Sequence, residues 1–366
     1  MAFFSRKHAY SPLPTNNGQP RLRNHRWLAV MFAGFAAFFG TLWIGHRLLF
    51  PEPPFSPLNN FQYLNPPPLV HIPSTRPSTS SEKRAIVSTL YSDSYVIGVA
   101  VLGHSIRKSN VTARLLLPYL DGRISDEALC VVRTAGWEPI VVPFIPPPHN
   151  GKGIYYRFHD QYTKLNIWGL DKMGVEQAIY LDADTLVRRN FDELFDIPFN
   201  FAAVPDIYGD RRGFTVNFNA GVLVFRPSTE VLNVMKEKIE TATFPLDQAE
   251  QSFLNLFFAA NVLRLPYAYN ANLALKKSSP ALWAGMKDEI RIVHYTLTKP
   301  FVDEHRGDTP RLLGEEEQRR LIDRAAEQRD GLFAEEVGWW REAYNQMMAD
   351  ERGKMEACRG GERIAK

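Results

Sequence analysis

Residues 177–187 read QAIYLDADTLV. Gln177–Leu181 is a short, mostly apolar run, the pattern of a strand buried on both faces. It ends in Asp182-Ala183-Asp184, two carboxylates one residue apart. In open α/β sheets, ligands bind beyond the carboxyl ends of strands. Two carboxylates at such an end can turn onto one divalent cation, and hard oxygen ligands suit magnesium or manganese. Asp-x-Asp alone is common in surface turns. The strand before it and Thr185-Leu186-Val187 after it give the motif its weight.

Upstream, Ala85–Leu90 (AIVSTL) is a second buried-strand pattern, followed by apolar residues at helical spacing across Ser94–Lys108. Ala113–Tyr119 reads as a strand. Ser125–Gly136 reads as a helix with Ser125 as cap and Gly136 as stop, and Pro139–Phe144 as a third strand. Thr163–Lys172 is one more helix. Strands alternating with helices predict a mostly parallel sheet covered by helices.

The chain has 366 residues, 45% of them apolar and 23% charged, enough to build a core and incompatible with wholesale disorder. Its net charge of +3 does not mark a nucleic-acid binder. Two cysteines exclude a disulfide scaffold or a cysteine-based zinc site. Five of the 43 basic residues lie in 1–26, which has no acidic residue; the remainder holds 38 basic against 40 acidic side chains, net −2. That basic tail precedes Trp27–Gly45, an uncharged run long enough to span a bilayer, with Trp27 and Trp43 near its ends. The expectation is an uncleaved anchor over 27–49, with residues 1–26 cytoplasmic and the rest lumenal. A cleaved signal peptide would have a shorter apolar run and a small-residue cleavage site. Pro51–Pro77 holds nine prolines and reads, within 50–83, as an extended stalk. The catalytic region is then 84–302, and 303–366 is a charged helical extension that either packs on it or forms an acceptor lid. Asn110-Val111-Thr112 is an N-glycosylation acceptor sequence. Cys130 and Cys358 either pair or remain two buried thiols.

Strand followed by Asp-x-Asp-x-Thr also occurs in haloacid-dehalogenase-type phosphatases. There the first Asp ends the first strand of the domain. Here about three strands precede Asp182, and Gly209-Asp210 is followed by Arg211-Arg212-Gly213 rather than the expected spacing to a further Asp.

Several stretches together resemble glycosyltransferase family 8, the family of glycogenin and galactinol synthase, from about Ala85 to Phe301. They are Ser88–Gly103 (STLYSDSYVIGVAVLG), Tyr162-Thr163-Lys164-Leu165, Tyr180–Val187, Asn217–Phe225 (NFNAGVLVF), Ala249–Asn255 (AEQSFLN) and Val293-His294-Tyr295. The resemblance implies a GT-A fold, a UDP-sugar donor, Mn2+ or Mg2+, and retention of anomeric configuration. By position it makes Asp182, Asp184 and His294 the metal ligands. Alone, His294 would read as a buried structural histidine. Lys299 matches a lysine on the donor phosphates, and Lys164 a helix lysine near the donor sugar. Asp206, Asn219, Gln251 and Asp247 match groups that bind sugar hydroxyls. Tyr95 matches an aromatic stacked on uracil, and Arg157 a base-contacting arginine.

Glu250 stands where glycogenin has Asp, and the Ala249-Glu250-Gln251 string is closer to galactinol synthase. No tyrosine lies near Lys276-Lys277-Ser278, which speaks against a self-glucosylating glycogenin. Anchor, stalk and catalytic domain in this order resemble fungal Golgi N-acetylglucosaminyltransferases. The expected protein is a type II Golgi membrane hexosyltransferase. Its donor is UDP-glucose, UDP-galactose or UDP-N-acetylglucosamine, and its acceptor a glycan, lipid or polyol. A homodimer is left open. The alternative is a non-catalytic nucleotide-sugar or glycan-binding relative.

Overall fold

The computed structural model describes residues 25–49, 80–207, 214–259, 261–302 and 311–359. The basic residues before 25, the proline-rich stretch 50–79 and Gly209–Gly213 lie outside them. The chain divides into two units, Met1–Phe55 and Ser56–Lys366. In the first, helix α1 (His25–Leu49) is described; its stretch Trp27–Leu49 has a mean hydropathy of 1.9 and is long enough to cross a bilayer.

The second unit is built on a seven-stranded sheet. The elements run β1 (Arg84–Val87), α2 (Val96–Lys108), β2 (Arg114–Tyr119), α3 (Asp126–Thr134), β3 (Glu138–Val141), β4 (Gln177–Leu181) and β5 (Thr185–Val187). They continue as β6 (Phe201–Ile207), β7 (Phe214–Phe225), α4 (Thr229–Lys238), α5 (Ala249–Phe258), β8 (Leu263–Arg264), β9 (Ala271–Asn272), α6 (Leu273–Ser278) and α7 (Pro280–Met286). The last are β10 (Ile292–His294), α8 (Glu315–Glu327) and α9 (Ala334–Arg359). The strand order is β3-β2-β1-β4-β7-β6-β8, and a three-stranded sheet β5-β10-β9 stands apart. Strands β3, β2, β1 and β4 are parallel, and β7 joins β4 antiparallel. This is the mixed, mostly parallel sheet flanked by helices that the strand–helix alternation predicts.

Side chains alternate across the sheet as a pleat requires. Ile86, Ile179 and Leu181 face a core shared with α2, α3 and α9. Ala85, Val87, Ala178 and Tyr180 face a second core around Trp168, Phe201, Phe225 and Phe253. Ser125 caps α3 as expected, its Oγ accepting from the Ala128 amide at 3.1 Å. Two expectations change in detail. Strand β3 stops at Val141, short of Phe144, where Pro143 has no amide hydrogen to continue the ladder. The helix expected over Thr163–Lys172 is a 3₁₀ helix, Gln161–Met173, buried along most of its length and ended by Gly174 at φ 76°.

The C-terminal helices pack rather than stand free. Helix α9 lies on α2 and α3. Asp350 meets His104 at 3.0 Å and Lys108 at 2.8 Å, and Glu351 meets Arg107 at 2.9 Å. Cys130 and Cys358 form a disulfide between α3 and α9, so of the two readings left open for these residues the bonded one holds. Helix α9 also supports the segment after β10. The Tyr295 hydroxyl donates to the Glu336 carbonyl at 2.7 Å, and Phe301 stacks on Trp340.

Candidate active site

The topology brings three separate strands to the end of β4. Leu181 pairs with Val222 on β7, so Asp182 lies opposite Gly221 and its amide donates to the Gly221 carbonyl at 2.9 Å. The Asp-Ala-Asp turn is pinned by Thr185, whose amide and hydroxyl both donate to the Asp182 carbonyl, at 3.0 and 2.7 Å. Strand β10 runs antiparallel to β5 with His294 opposite Thr185, and the Tyr295 amide donates to the Asp184 carbonyl at 2.9 Å. One carboxylate oxygen each from Asp182 and Asp184 and one ring nitrogen of His294 therefore lie within 4.8 Å of one another.

The His294 Nε2 is 3.1 Å from Asp184 and 3.7 Å from Asp182, while its Nδ1 is 3.0 Å from Asn270 Oδ1. A ring nitrogen held by a neutral acceptor keeps its hydrogen, which leaves the other nitrogen to ligate. Two carboxylates and such an imidazole fit a magnesium- or manganese-type ion. Gly221 makes room for the ring: a Cβ there would stand 2.2 Å from His294 Cε1. The glycine of the Asn219-Ala220-Gly221 string is thus required by the histidine.

Cations surround the carboxylates. Lys299 contacts Asp184. Burial alone would raise the Asp184 carboxyl, but Lys299 and His294 outweigh it and hold the group well below the usual carboxylate range. Lys164 is buried, 3.1 Å from Asp182 and 2.5 Å from Glu250, with its ammonium over the Tyr180 ring. Burial opposes its charge, yet Asp182 and Glu250 raise its pKa above the ordinary lysine value. Glu250 is also raised, by burial that Lys164 only partly offsets. The two shifts are consistent because two carboxylates share one ammonium: the lysine gains and the more deeply buried acid loses. Tyr180 donates to Asp182 Oδ1 at 2.7 Å.

These groups line one cleft of about 650 Å³. Of the residues singled out in the sequence, Tyr95, Arg157, Lys164, Asp182, Asp184, Asn219, Asp247, Glu250, Gln251, His294 and Lys299 all border it. Tyr95 packs edge-on against Phe301, and Asp247 is exposed at the rim. Asp206 is set back: its carboxylate accepts from Gln251 Nε2 at 2.9 Å, and burial raises its pKa. Gln251 Oε1 in turn accepts from the Ala220 amide at 2.9 Å and from Asn219 Nδ2 at 3.3 Å. Sequence reading missed the roles of Asn270 and Tyr180, and took Gly221 only as part of the Asn217–Phe225 stretch, where a glycine inside an apolar strand pattern marks a close approach.

Residues 86–304 match glycosyl transferase family 8. The chain belongs to that family. Residues 86–304 therefore form a family 8 glycosyltransferase domain, and the order of motifs over Ser88–Tyr295 has its explanation. Glycogenin of Neurospora crassa is 29% identical over 59% of this chain and 31% of its own length. Inositol phosphorylceramide glucuronosyltransferase 1 of Arabidopsis thaliana is 29% identical over 60% of this chain and 42% of its own. The match thus spans less than half the length of either relative. A solved structure, the galactosyltransferase LgtC in complex with donor and acceptor sugar analogues, is 20% identical and covers 66% of this chain and 95% of that one, with a TM-score of 0.42.

Proposed function

We propose that the chain is a retaining, metal-dependent hexosyltransferase that moves a sugar from UDP-glucose, UDP-galactose or UDP-N-acetylglucosamine to an acceptor hydroxyl. One observation carries this reading. Asp182, Asp184 and His294 converge on the wall of a cleft that also holds Lys164, Lys299 and the Asn219 and Gln251 amides. Those three side chains would hold a divalent cation, which would supply positive charge against the diphosphate.

The chain's own side chains supply the rest. As the bond from sugar to phosphate lengthens, the ring gains oxocarbenium character and UDP gains negative charge. The Lys299 ammonium is placed to meet that charge. Lys164 fixes Asp182 from behind and ties it to Glu250. The amides of Asn219 and Gln251, their oxygens already accepting within the network, offer N–H donors to sugar hydroxyl oxygens. Tyr95 offers a ring to uracil. The leaving diphosphate can itself take the acceptor's proton, so no separate base is required. Retention then proceeds by same-face attack or through a covalent intermediate, for which Asp247 and Glu250 are the neighbouring carboxylates.

We further place the protein as a type II Golgi enzyme, with 1–26 as a cytoplasmic tail, 27–49 as the anchor, 50–83 as a stalk and 84–302 as the lumenal catalytic domain. The apolar helix α1 supports an anchor. The Cys130–Cys358 disulfide supports the lumen, because such bonds persist in oxidising compartments.

The test is UDP release by the full chain in detergent, with manganese, across these UDP-sugars. One donor should be turned over, and Asp184→Asn should lose about 10²–10³-fold of that rate. Failure of the wild-type chain to bind UDP with manganese would refute the reading.

A further inference from the structure

We propose that Asn270 is a positioning residue that sets the metal-facing histidine and the sugar-facing amides together, through one buried side chain. The inference rests on the functional reading above for what its two ends do. Asn270 is 1% exposed and immediately precedes β9, the strand paired with β10. Its Oδ1 is 3.0 Å from His294 Nδ1, and its Nδ2 donates to Asn219 Oδ1 at 2.9 Å.

The orientation of the whole chain of bonds follows from one backbone group. The Gly221 amide can only donate, and it donates to Asn219 Oδ1 at 3.0 Å. Asn219 must therefore present its oxygen there and its Nδ2 to Gln251. Asn270 must then turn its own Nδ2 toward Asn219, because the reverse would set oxygen against oxygen. That leaves Asn270 Oδ1 facing His294, so Nδ1 carries a hydrogen and Nε2 is the atom that faces Asp182 and Asp184. The line His294–Asn270–Asn219–Gln251–Asp206 is continuous. It joins the ring that would ligate the ion to the amides that would hold the sugar, and Asn270 touches neither ligand itself.

Two substitutions separate the ends. Asn270→Asp retains an acceptor for His294 Nδ1 but cannot donate to Asn219. Asn270→Leu removes both contacts at similar volume. Manganese binding is read by electron paramagnetic resonance titration of the full chain without donor. Donor use is read as KM and kcat for the UDP-sugar that the wild type turns over, beside the Kd of UDP alone. Asn270→Leu should weaken manganese binding about 10–100-fold. Asn270→Asp should leave manganese and UDP affinity unchanged and raise the UDP-sugar KM about tenfold, the effect of one buried hydrogen bond lost.

An Asn270→Asp chain that loses manganese and sugar binding together, or changes neither, overturns this assignment of the Asn270 oxygen to the histidine and of its nitrogen to the amides. This arm decides even where the leucine variant does not fold. A wild-type chain that binds no manganese overturns the functional reading, and the coupling with it. Normal wild-type binding that Asn270→Asp leaves intact, with an unchanged sugar KM, overturns the coupling alone.

Discussion

Replacing Gly221 with alanine should unseat His294 while leaving both aspartates untouched. Gly221 lies on β7 beside Asp182, with its carbonyl accepting from the Asp182 amide. A Cβ at this position meets His294 Cε1 at 2.2 Å, Nδ1 at 2.6 Å and Asn219 Oδ1 at 2.9 Å. Ordinary contact begins near 3.4 Å, so the ring must retreat by about 1.2 Å. It has little room, being 3% exposed and bonded to Asn270. Metal sites tolerate deviations of about 0.2 Å in ligand distance, so a ring moved this far no longer ligates. The loss should be at least that of removing a ligand's outer partner, ~10–100-fold in metal affinity, or ~1.4–2.7 kcal/mol. Crowding should also cost the fold about 1–3 kcal/mol. The assay is a manganese titration followed by electron paramagnetic resonance, with thermal melting of the same sample. A Gly221→Ala chain that binds manganese with wild-type affinity and melts at the wild-type temperature would refute the reasoning.

Replacing Cys130 and Cys358 with serine should lower stability by roughly 2–5 kcal/mol, since the bond closes a long loop; an unchanged melting temperature in the double variant would count against a structural role for the bond. The Asp350 clamp on α2 should show in acid. Hydrogen bonds from Lys108 and then His104 depress the Asp350 carboxyl to about 2. A depressed carboxyl contributes stability that is full above the unfolded value near 4 and is lost as pH falls through the folded one. Asp350→Asn should therefore melt below wild type at pH 7, and the difference should close as pH approaches 2. A gap that persists at pH 2 would contradict the assignment.

What could be read in the chain was local. A β-rich run ending in Asp182-Ala183-Asp184, the Ser125 cap and the helix before Lys108 each follow from neighbouring residues, and the structure has them. The 3₁₀ form of Gln161–Met173 was not legible, because apolar spacing over ten residues does not separate 3.0 from 3.6 residues per turn when nearly every side is buried. Asn270 was hidden in Tyr269-Asn270-Ala271-Asn272, where an amide looks like an ordinary loop residue. Its meaning comes from His294 and Asn219, which are 24 and 51 positions away. The fate of Cys130 depended likewise on where α9 docks, a contact between residues 228 apart. His294 was found only because a family pattern stood in for that missing distance information.

That separation of 228 residues sets an order of events at birth. Synthesis at about 5–20 residues per second leaves Cys130 waiting roughly 10–45 seconds for its partner to be made. The chain has only two cysteines, so during that wait it can form no wrong bond with itself. Its one hazard is a bond to another molecule. The covalent staple can be added only after β1–β10 have been made, which makes it a late seal on the domain.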